Sequence, residues 1–397
     1  MTEYDIIIIG AGISGLSMAH YCAGAGLKTL VIEKSSHVGG AIDSHMFKDR
    51  AAGFWLEMGA HTCYNSYSNL LGVLEHNGAL ARLVAREKAP FKMLAGDDLK
   101  SIPSQLSFLS LLPAALRMFT LKKEGQSVER YYSKLAGRRN YERVLSHAFN
   151  AVVSQSADNF PADMLFKKRA RRKDVLRKFT FANGLQGIPD VISAEEKIEL
   201  ATGKTISAIT PTDNGFSVTT ESGDLETRRL AMATPASVAA ELLGTAFPDV
   251  SSKLALINVN KVESLGVVVK KDDTPLPNFA NLIASNDLFY SVVSRDVVPD
   301  ASFRGFTFHF KPGVADEAAK MKRVSEVLRI PTAEVAEMFT KNNLLPSLTV
   351  GQRQLVTEID SLTQGRNLFL TGNYFYGLSI EDCVTRSRSE FNKLASG

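Results

Sequence analysis

Glycines and one acid near the start of the chain carry the clearest chemical implication. Gly10-Ala11-Gly12-Ile13-Ser14-Gly15 directly follows the apolar run Ile6-Ile7-Ile8-Ile9, and Glu33 closes a second apolar run, Thr29-Leu30-Val31-Ile32. Gly10 permits a tight turn, Gly12 leaves room for a pyrophosphate beside the backbone, and Gly15 lets a helix press against a sheet. A helix starting there presents free N–H groups and the positive end of its dipole to phosphates. At the end of the second run, the Glu33 carboxylate can accept both hydroxyls of an adenosine ribose and would repel a 2′-phosphate. That chemistry is dinucleotide binding.

The surrounding pattern supplies the elements that must hold these groups. Residues 4–9 read as a buried strand, 16–24 as a helix and 29–32 as a second strand. Gly39-Gly40, and then the stretch from Gly53 to His61, continue the module, because two close glycines let the chain pass tightly over a cofactor. Residues 66–80 read as helix and 88–103 as a strand pair. Helical patterns dominate from 106 to about 178, with Tyr141, Val144, Leu145, Ala148 and Phe149 near helical spacing. At Phe179 the pattern changes to a loop that turns into a helix, with Pro189 suited to its first turn. Strands at 197–200, 205–209, 216–220 and 225–234, separated by Gly203, Asn214-Gly215 and Ser222-Gly223-Asp224, form a meander. Strands recur within 253–270 and 288–311, followed by helices over 315–329 and 331–339. The chain closes with a strand over 367–372, a loop over 373–379 and a helix over 380–394, a second place where backbone N–H groups can meet cofactor oxygens. Both ends are therefore expected to converge on one ligand.

Composition narrows the class. The 397 residues, 45% of them hydrophobic, suffice for two or three domains. With 46 basic and 42 acidic side chains the net charge is +4, so no strong global field draws the chain to an acidic partner. The basic run Lys167-Lys168-Arg169-Ala170-Arg171-Arg172-Lys173, extended by Arg177 and Lys178, reads as a solvated face or as an anion-facing patch. It lacks interleaved aromatics, which argues against nucleic acid. Cys22, Cys63 and Cys383 have no paired spacing and the seven histidines do not cluster. A disulfide framework and a metal site are thus not expected, and a reducing, cytoplasmic setting without a cleavable leader fits best. The apolar stretch 106–121 carries Pro113 and Arg117. It reads as broken helix, a core or tunnel wall, with a surface dipping into a bilayer as the alternative. The sequence leaves self-association open.

Taken in order, these blocks resemble the flavin amine oxidase superfamily over nearly the whole chain. The opening glycine motif, Glu33, Gly39-Gly40 and Gly53 to His61 look like its FAD-binding start. Phe179 to Asp190 is similar to the Phe-x-Phe-x-Gly-Gly-Leu-Gln-x-Leu-Pro-Asp block of the protoporphyrinogen oxidase branch, with Asn183 in place of the first glycine. Gly372 to Cys383 resembles the closing flavin loop and helix. The resemblance implies an α/β fold: a split, Rossmann-like FAD-binding domain of the GR2 flavoprotein type with an α+β substrate domain. Residues 1–75, 179–245 and 351–397 would form the former, and 76–178 and 246–350 the latter. It implies non-covalent FAD, a small-molecule substrate, and oxygen or another electron acceptor. Cofactor contacts would come from Gly10, Gly12, Ile13, Ser14, Gly15, Glu33, Lys34, Gly39, Gly40, Gly59, Ala60, His61, Ile206, Gly372, Asn373, Gly377, Leu378, Ser379 and Ile380. Ala41 departs from the pattern, standing where superfamily members commonly carry arginine. The chain is also shorter than usual for the porphyrinogen branch, which implies a smaller or more open pocket.

The expected reaction is hydride removal from a substrate C–H to flavin N5, a step that needs no metal and often no strong nucleophile. Residue types therefore expose no catalytic base. His61, Tyr374 and Tyr376 are the pocket candidates, and Arg169, Arg171 and Arg172 the candidates for pairing with substrate carboxylates. Cys63 and Cys383 read as buried thiols. Three functions follow: a porphyrinogen-type oxidase or dehydrogenase; a flavin amine oxidase or desaturase acting on another amine, cyclic or polyene substrate; and a non-catalytic FAD-binding accessory protein.

Overall fold

Five short parallel strands form the sheet on which the glycine turn rests. Their spatial order is Ile198–Ala201, Thr29–Ile32, Ile6–Ile9, Leu230–Met232 and Leu368–Leu370. In this computed structural model, which describes residues 3–111 and 120–396, the central strand is buried along its whole length. Because side chains alternate across a strand, its four isoleucines divide between two cores. Ile6 and Ile8 pack with the opening helix Ile13–Gly24 and with Ile380, Cys383 and Val384. Ile7 and Ile9 pack with Met232, Leu370 and the helix Ala236–Leu243. Both faces are covered, as a parallel sheet requires.

A second, seven-stranded sheet lies against this unit. Its order is Val335–Pro346, Val259–Lys270, Phe303–Phe310, Phe289–Ser294, Asn281–Ser285, Phe91–Ala95 and Asp98–Ser101, antiparallel except where 281–285 runs alongside 91–95. Phe279, Phe289, Phe306, Phe308 and Phe310 build its core with Val324, Val327 and Leu328 of the helix Glu317–Leu328. The sheet is joined to the cofactor side by Asn343, whose side-chain amide donates to the Met58 carbonyl at 2.8 Å.

Three elements differ from expectation. Residues 331–339 form no second helix: a single 3-10 turn, Thr332–Glu334, precedes the strand Val335–Pro346. Pairing along almost the full length of Val259–Lys270 outweighs local helical propensity there. The run 225–234 is two strands. Gly223–Thr227 stays in the meander, while Leu230–Met232 crosses into the parallel sheet between Ile6–Ile9 and Leu368–Leu370. Ile198–Ala201 likewise leaves the meander for the edge of that sheet. Third, the helical region ends early. Helical turns run over Val128–Ala136 and 138–153, a π-turn at Tyr141–Leu145 included, and residues 165–177, which carry the basic run, are irregular. Of the apolar stretch 106–121, Phe108–Leu111 is a 3-10 turn and residues 112–119 lie outside the described residues.

Candidate functional site

The glycine turn is held on three sides, twice by backbone carbonyls and once by a carboxylate. Gly10 N–H donates to the Ile32 carbonyl at 2.8 Å, Ala11 N–H to Glu33 Oε2 at 2.7 Å, and Gly39 N–H to the Ala11 carbonyl at 2.9 Å. The helix beginning at Ile13 has Gly12 as its N-cap, no side chain capping it and no acid in its first turn. Its N-terminal N–H groups and dipole are thus left for an anion. Gly12 and Gly15 differ sharply. A Cβ on Gly15 would lie 1.8 Å from the Gly10 carbonyl oxygen, whereas one on Gly12 would find its nearest neighbour, the Gly39 carbonyl oxygen, at 3.9 Å. Gly15 serves the packing of the turn. At Gly12 a Cβ would meet only ordinary van der Waals contacts, so packing within the turn does not demand glycine there.

Glu33 is half-buried, with Oε1 accepting the Ser35 N–H at 2.8 Å. Lys34 beside it is exposed. Hydrogen bonds from Gly203 N–H to the Ser35 carbonyl and from Lys204 N–H to the Glu33 carbonyl bring the segment before Ile206 against this acid. Gly39 and Gly40 touch the other end of the module, where Ala60 N–H donates to the Ala41 carbonyl at 2.9 Å and a Cβ on Gly59 would meet that oxygen at 2.2 Å. At the departure from the family pattern, Lys341 of the seven-stranded sheet donates to the Gly40 carbonyl at 2.6 Å and pairs with Asp43 at 2.7 Å.

The closing segment is anchored to the same turn. Ser387 Oγ donates to the Ser14 carbonyl at 2.8 Å. The helix Ile380–Ser396 starts with a reciprocal cap: Asp382 N–H donates to Ser379 Oγ at 3.2 Å, and Ser379 Oγ to Asp382 Oδ2 at 2.6 Å. Glu381 reaches across to cap another helix, Ser68–His76, accepting the Asn69 and Leu70 N–H groups. Gly377, Leu378 and Ile380 flank this cap in the chain, a Cβ on Gly377 would meet Asp382 at 2.7 Å, and one on Gly372 would meet the Tyr374 ring at 2.5 Å; Asn373 lies between them in sequence.

The two candidate tyrosines separate. Tyr374 is fully enclosed in the main core, its hydroxyl without a partner among the described residues, and offers no surface to a pocket. Tyr376 is half-buried, with the Arg386 guanidinium 5.5 Å from its ring centroid. Two of the three basic candidates are already paired. Arg169 donates to Asp382 at 2.7 Å and Lys167 shares the same oxygen, so both secure the closing cap. Arg172 is held by Glu75 at 2.7 Å and Asp174 at 2.6 Å. Arg171 is exposed. The sequence showed the charges but not the carboxylates that neutralise two of them. Cys22, Cys63 and Cys383 are free and buried; burial pushes the Cys383 thiol up to about 12, so it carries little thiolate.

His61 borders a small cavity of about 20 Å³, room for about one water and partly open to solvent, also lined by Trp55, Leu56, Glu57, Arg86, Thr180, Val293, Ser294, Arg295, Val297, Val298 and Thr307. Nδ1 of His61 lies 3.0 Å from Thr62 Oγ1. Burial, reinforced by Arg86, lowers its pKa to about 3, so the ring is neutral at physiological pH. Burial lifts Glu57 to about 7 even though Ser44 Oγ and Leu185 N–H donate to it at 2.7 and 2.9 Å. Arg86, Thr180 and Arg295 escaped the sequence reading. They come from three distant segments, and no local spacing marks them.

A parallel sheet, an open glycine turn with an acid on the following strand, and a second sheet over the cavity define a dinucleotide-dependent oxidoreductase. The chain belongs to the flavin containing amine oxidoreductase family, whose model matches residues 13–390. It is an enzyme that uses non-covalently bound FAD. It is 22% identical to a chloroplastic protoporphyrinogen oxidase of Nicotiana tabacum over 96% of this chain and 84% of that protein. It is 32% identical to a 15-cis-phytoene desaturase of Narcissus pseudonarcissus over 28% of this chain, a stretch covering only 19% of the desaturase. A solved structure of a protein provisionally named a protoporphyrinogen oxidase, from Exiguobacterium sp. 255-15, superposes with a TM-score of 0.79 at 16% identity, covering 99% of each chain. Among the described residues no helix is long and apolar enough to cross a membrane, and no group of three or more His, Cys, Asp or Glu is placed to hold a metal.

Proposed function

We propose that this chain oxidises a cyclic tetrapyrrole, in the manner named for its protoporphyrinogen oxidase relatives, with oxygen or another external acceptor taking the electrons. The reading is supported above all by the N. tabacum relative, whose similarity runs along 96% of the chain. Residues 1–75, 179–245 and 351–397 would form the FAD unit, and 76–178 and 246–350 the substrate unit. When bound, FAD supplies the redox chemistry by accepting hydride from a substrate C–H. The protein's part is positional. Gly12, Ile13, Ser14 and Gly15 would hold the pyrophosphate; Glu33, with Lys34 and Ile206 nearby, the adenosine end; and Gly39, Gly40, Gly59, Ala60, Gly372, Asn373, Gly377, Leu378, Ser379 and Ile380 the remainder. Neutral His61 and Tyr376 would face the reacting end and shield it from water.

A second reading, a smaller substrate, is favoured by one observation. The cavity beside His61 holds about 20 Å³, room for little more than one water, against roughly 300–1,000 Å³ in typical ligand sites. Anaerobic mixing of the yellow protein with protoporphyrinogen, coproporphyrinogen and a panel of small amines and carboxylic acids decides between them. Bleaching of the flavin by a porphyrinogen is expected; bleaching only by a small donor would replace the first reading with the second. Flotation with anionic liposomes tests peripheral membrane contact, for which a protein that stays at the bottom of the gradient is the negative result.

A further inference from the structure

The strand Val335–Pro346 lies along the nucleotide module, and alternate side chains on its inner face are held there. Glu337 accepts the Ala51 N–H at 2.6 Å, the Phe339 ring stacks on His45 with centroids 3.6 Å apart, and Asn343 donates to the Met58 carbonyl at 2.8 Å. Between Phe339 and Asn343, Lys341 is fixed beside the glycine turn. Its Nζ donates to the Gly40 carbonyl at 2.6 Å and to Asp43 Oδ2 at 2.7 Å, and the side chain is only 17% exposed. Gly40 in turn lies on Gly12, the N-cap of the opening helix. A Cβ added to Gly40 would be 3.2 Å from Gly12 Cα, and Gly12 and Gly39 form a β-bridge.

An ammonium group carries three N–H donors. Two are spent on Gly40 and Asp43, and no acceptor among the described residues takes the third. Two further groups at the turn are unspent. The opening helix has no capping side chain and no acid in its first turn. Thr234, whose Cγ2 would lie 3.4 Å from a Cβ on Gly10, has a buried hydroxyl without a partner among the described residues. The acids at the turn do not answer these donors, because Asp43 is engaged by Lys341, and Glu33 by the Ala11 and Ser35 N–H groups. A cation, a hydroxyl and a helix start left open around one turn call for an anion with several acceptor oxygens. The anionic part of FAD is its pyrophosphate.

We propose that Lys341 binds the FAD pyrophosphate, so that the seven-stranded sheet supplies one of the cofactor's own contacts. Asp43 then orients the ammonium group for the phosphate as well as sharing its charge. Bound dinucleotide would clamp the strand Val335–Pro346 onto the module. The inference rests on FAD use and not on the identity of the substrate, so a negative porphyrinogen assay leaves it intact.

The test titrates apoprotein with FAD, followed by flavin fluorescence quenching, and displaces the FAD with ADP, which carries two phosphates and no flavin. Lys341→Met alone would also turn the unpaired Asp43 carboxylate against the phosphates. The decisive comparison is therefore made on an Asp43→Asn background, where the two proteins differ only in the lysine. Adding Lys341→Met to Asp43→Asn should weaken FAD binding by roughly tenfold or more, the loss of one charge-assisted contact, and should weaken ADP by a similar factor. Lys341→Arg, which keeps a cation, should lose less than Lys341→Met. Equal FAD affinity with and without the lysine on that background would reduce Lys341 to a partner of Asp43 and overturn the proposal. A loss for FAD with ADP unchanged would place Lys341 at the flavin instead and overturn it as well. Should Lys341→Met fail to fold, as judged by circular dichroism of the apoprotein, Lys341→Gln on the same background makes the same comparison. A wild-type protein that takes up no FAD would remove the proposal together with the cofactor it rests on.

Discussion

Glu33 and Ala11 are joined by a 2.7 Å hydrogen bond, from the backbone N–H of the glycine turn to Oε2 of the acid on the neighbouring strand. With Ser35 N–H on Oε1, the carboxylate is oriented before any ligand arrives, and each oxygen keeps a lone pair for a ribose hydroxyl. Glu33→Ala is expected to leave Ala11 N–H unpaired and to weaken FAD binding by about tenfold to a hundredfold. Titration of apoprotein with FAD, followed by flavin fluorescence quenching, measures this. Unchanged affinity would remove Glu33 from the cofactor site.

Gly12 and Gly15 make a paired test. Gly12→Ala places a methyl group no nearer than 3.9 Å to its neighbours, so the apoprotein should keep its stability within about 1 kcal/mol while FAD retention collapses. Gly15→Ala drives a methyl group into the Gly10 carbonyl and should destabilise the apoprotein by several kcal/mol, on the order of other overpacked sites. Urea unfolding of both apoproteins, beside their flavin content, separates the roles. A Gly12→Ala protein that retains FAD normally would argue against the pyrophosphate position.

Burial of Arg386 predicts a large effect far from the cavity. This fully buried side chain bonds Asp360 at 2.6 Å, Glu390 at 2.9 Å and the Leu370 carbonyl at 2.9 Å, with its Cζ 3.8 Å from the Phe375 ring centroid. Arg386→Met leaves buried Glu390 with Lys393, 2.6 Å away, as its remaining cation and should cost about 3 kcal/mol. Burial alone would raise the Asp360 carboxyl, but Arg386 and Lys393 outweigh it and hold the group below its ordinary value. That contribution is present above the ordinary value of 3.8 and is lost as pH falls through the lower folded value. Arg386→Met should therefore flatten the acid limb of the stability curve.

Glu57 and the two buried histidines push the pH dependence in opposite senses. Burial raises Glu57 from 4.5 to about 7, so its stabilising contribution is full below pH 4.5 and fades as pH rises to 7. His61 and His309 are lowered from 6.5 to about 3 and about 4; their contribution is full above pH 6.5 and is lost as pH falls toward those values. Glu57→Gln should stabilise the apoprotein at pH 8 by on the order of 2–3 kcal/mol, with the gain shrinking to nothing near pH 4.5. Denaturant titrations across this range check it, and a gain independent of pH would refute the buried, raised carboxyl.

Arg169 is expected to matter for stability rather than for substrate. Arg169→Gln loosens one of two cations on Asp382 and should cost about 1 kcal/mol. The KM of whichever donor bleaches the flavin should stay unchanged. A raised KM at unchanged stability would return Arg169 to the substrate site.

The cofactor half was legible because its chemistry is local. A tight turn, a helix start and an acid at the end of the next strand are set by neighbours in the chain, so the glycine spacing and the apolar runs at 6–9 and 29–32 suffice to find them. The convergence of both chain ends was legible for the same reason, since Gly372 to Ile380 repeats the strand, glycine loop and helix pattern. Where local patterns misled, pairing with distant strands overruled them: Val335–Pro346 is held straight by Val259–Lys270, and Leu230–Met232 is drawn between Ile6–Ile9 and Leu368–Leu370.

By itself, then, the amino-acid order determined the dinucleotide cradle and the class of enzyme, since both rest on residues that act through their immediate neighbours. Which charges remain free was decided only by tertiary structure. Arg169 and Arg172 sit in the most basic stretch of the chain yet meet Asp382, Glu75 and Asp174, while Arg295 and Arg86, unremarkable in sequence, end beside His61, with Asp300 3.9 Å from Arg295 and Glu57 in the same cavity. The physical reason is that neutralisation is a contact property: a charge is silenced or exposed by whatever the fold places within about 4 Å of it, and those partners lie anywhere along the chain.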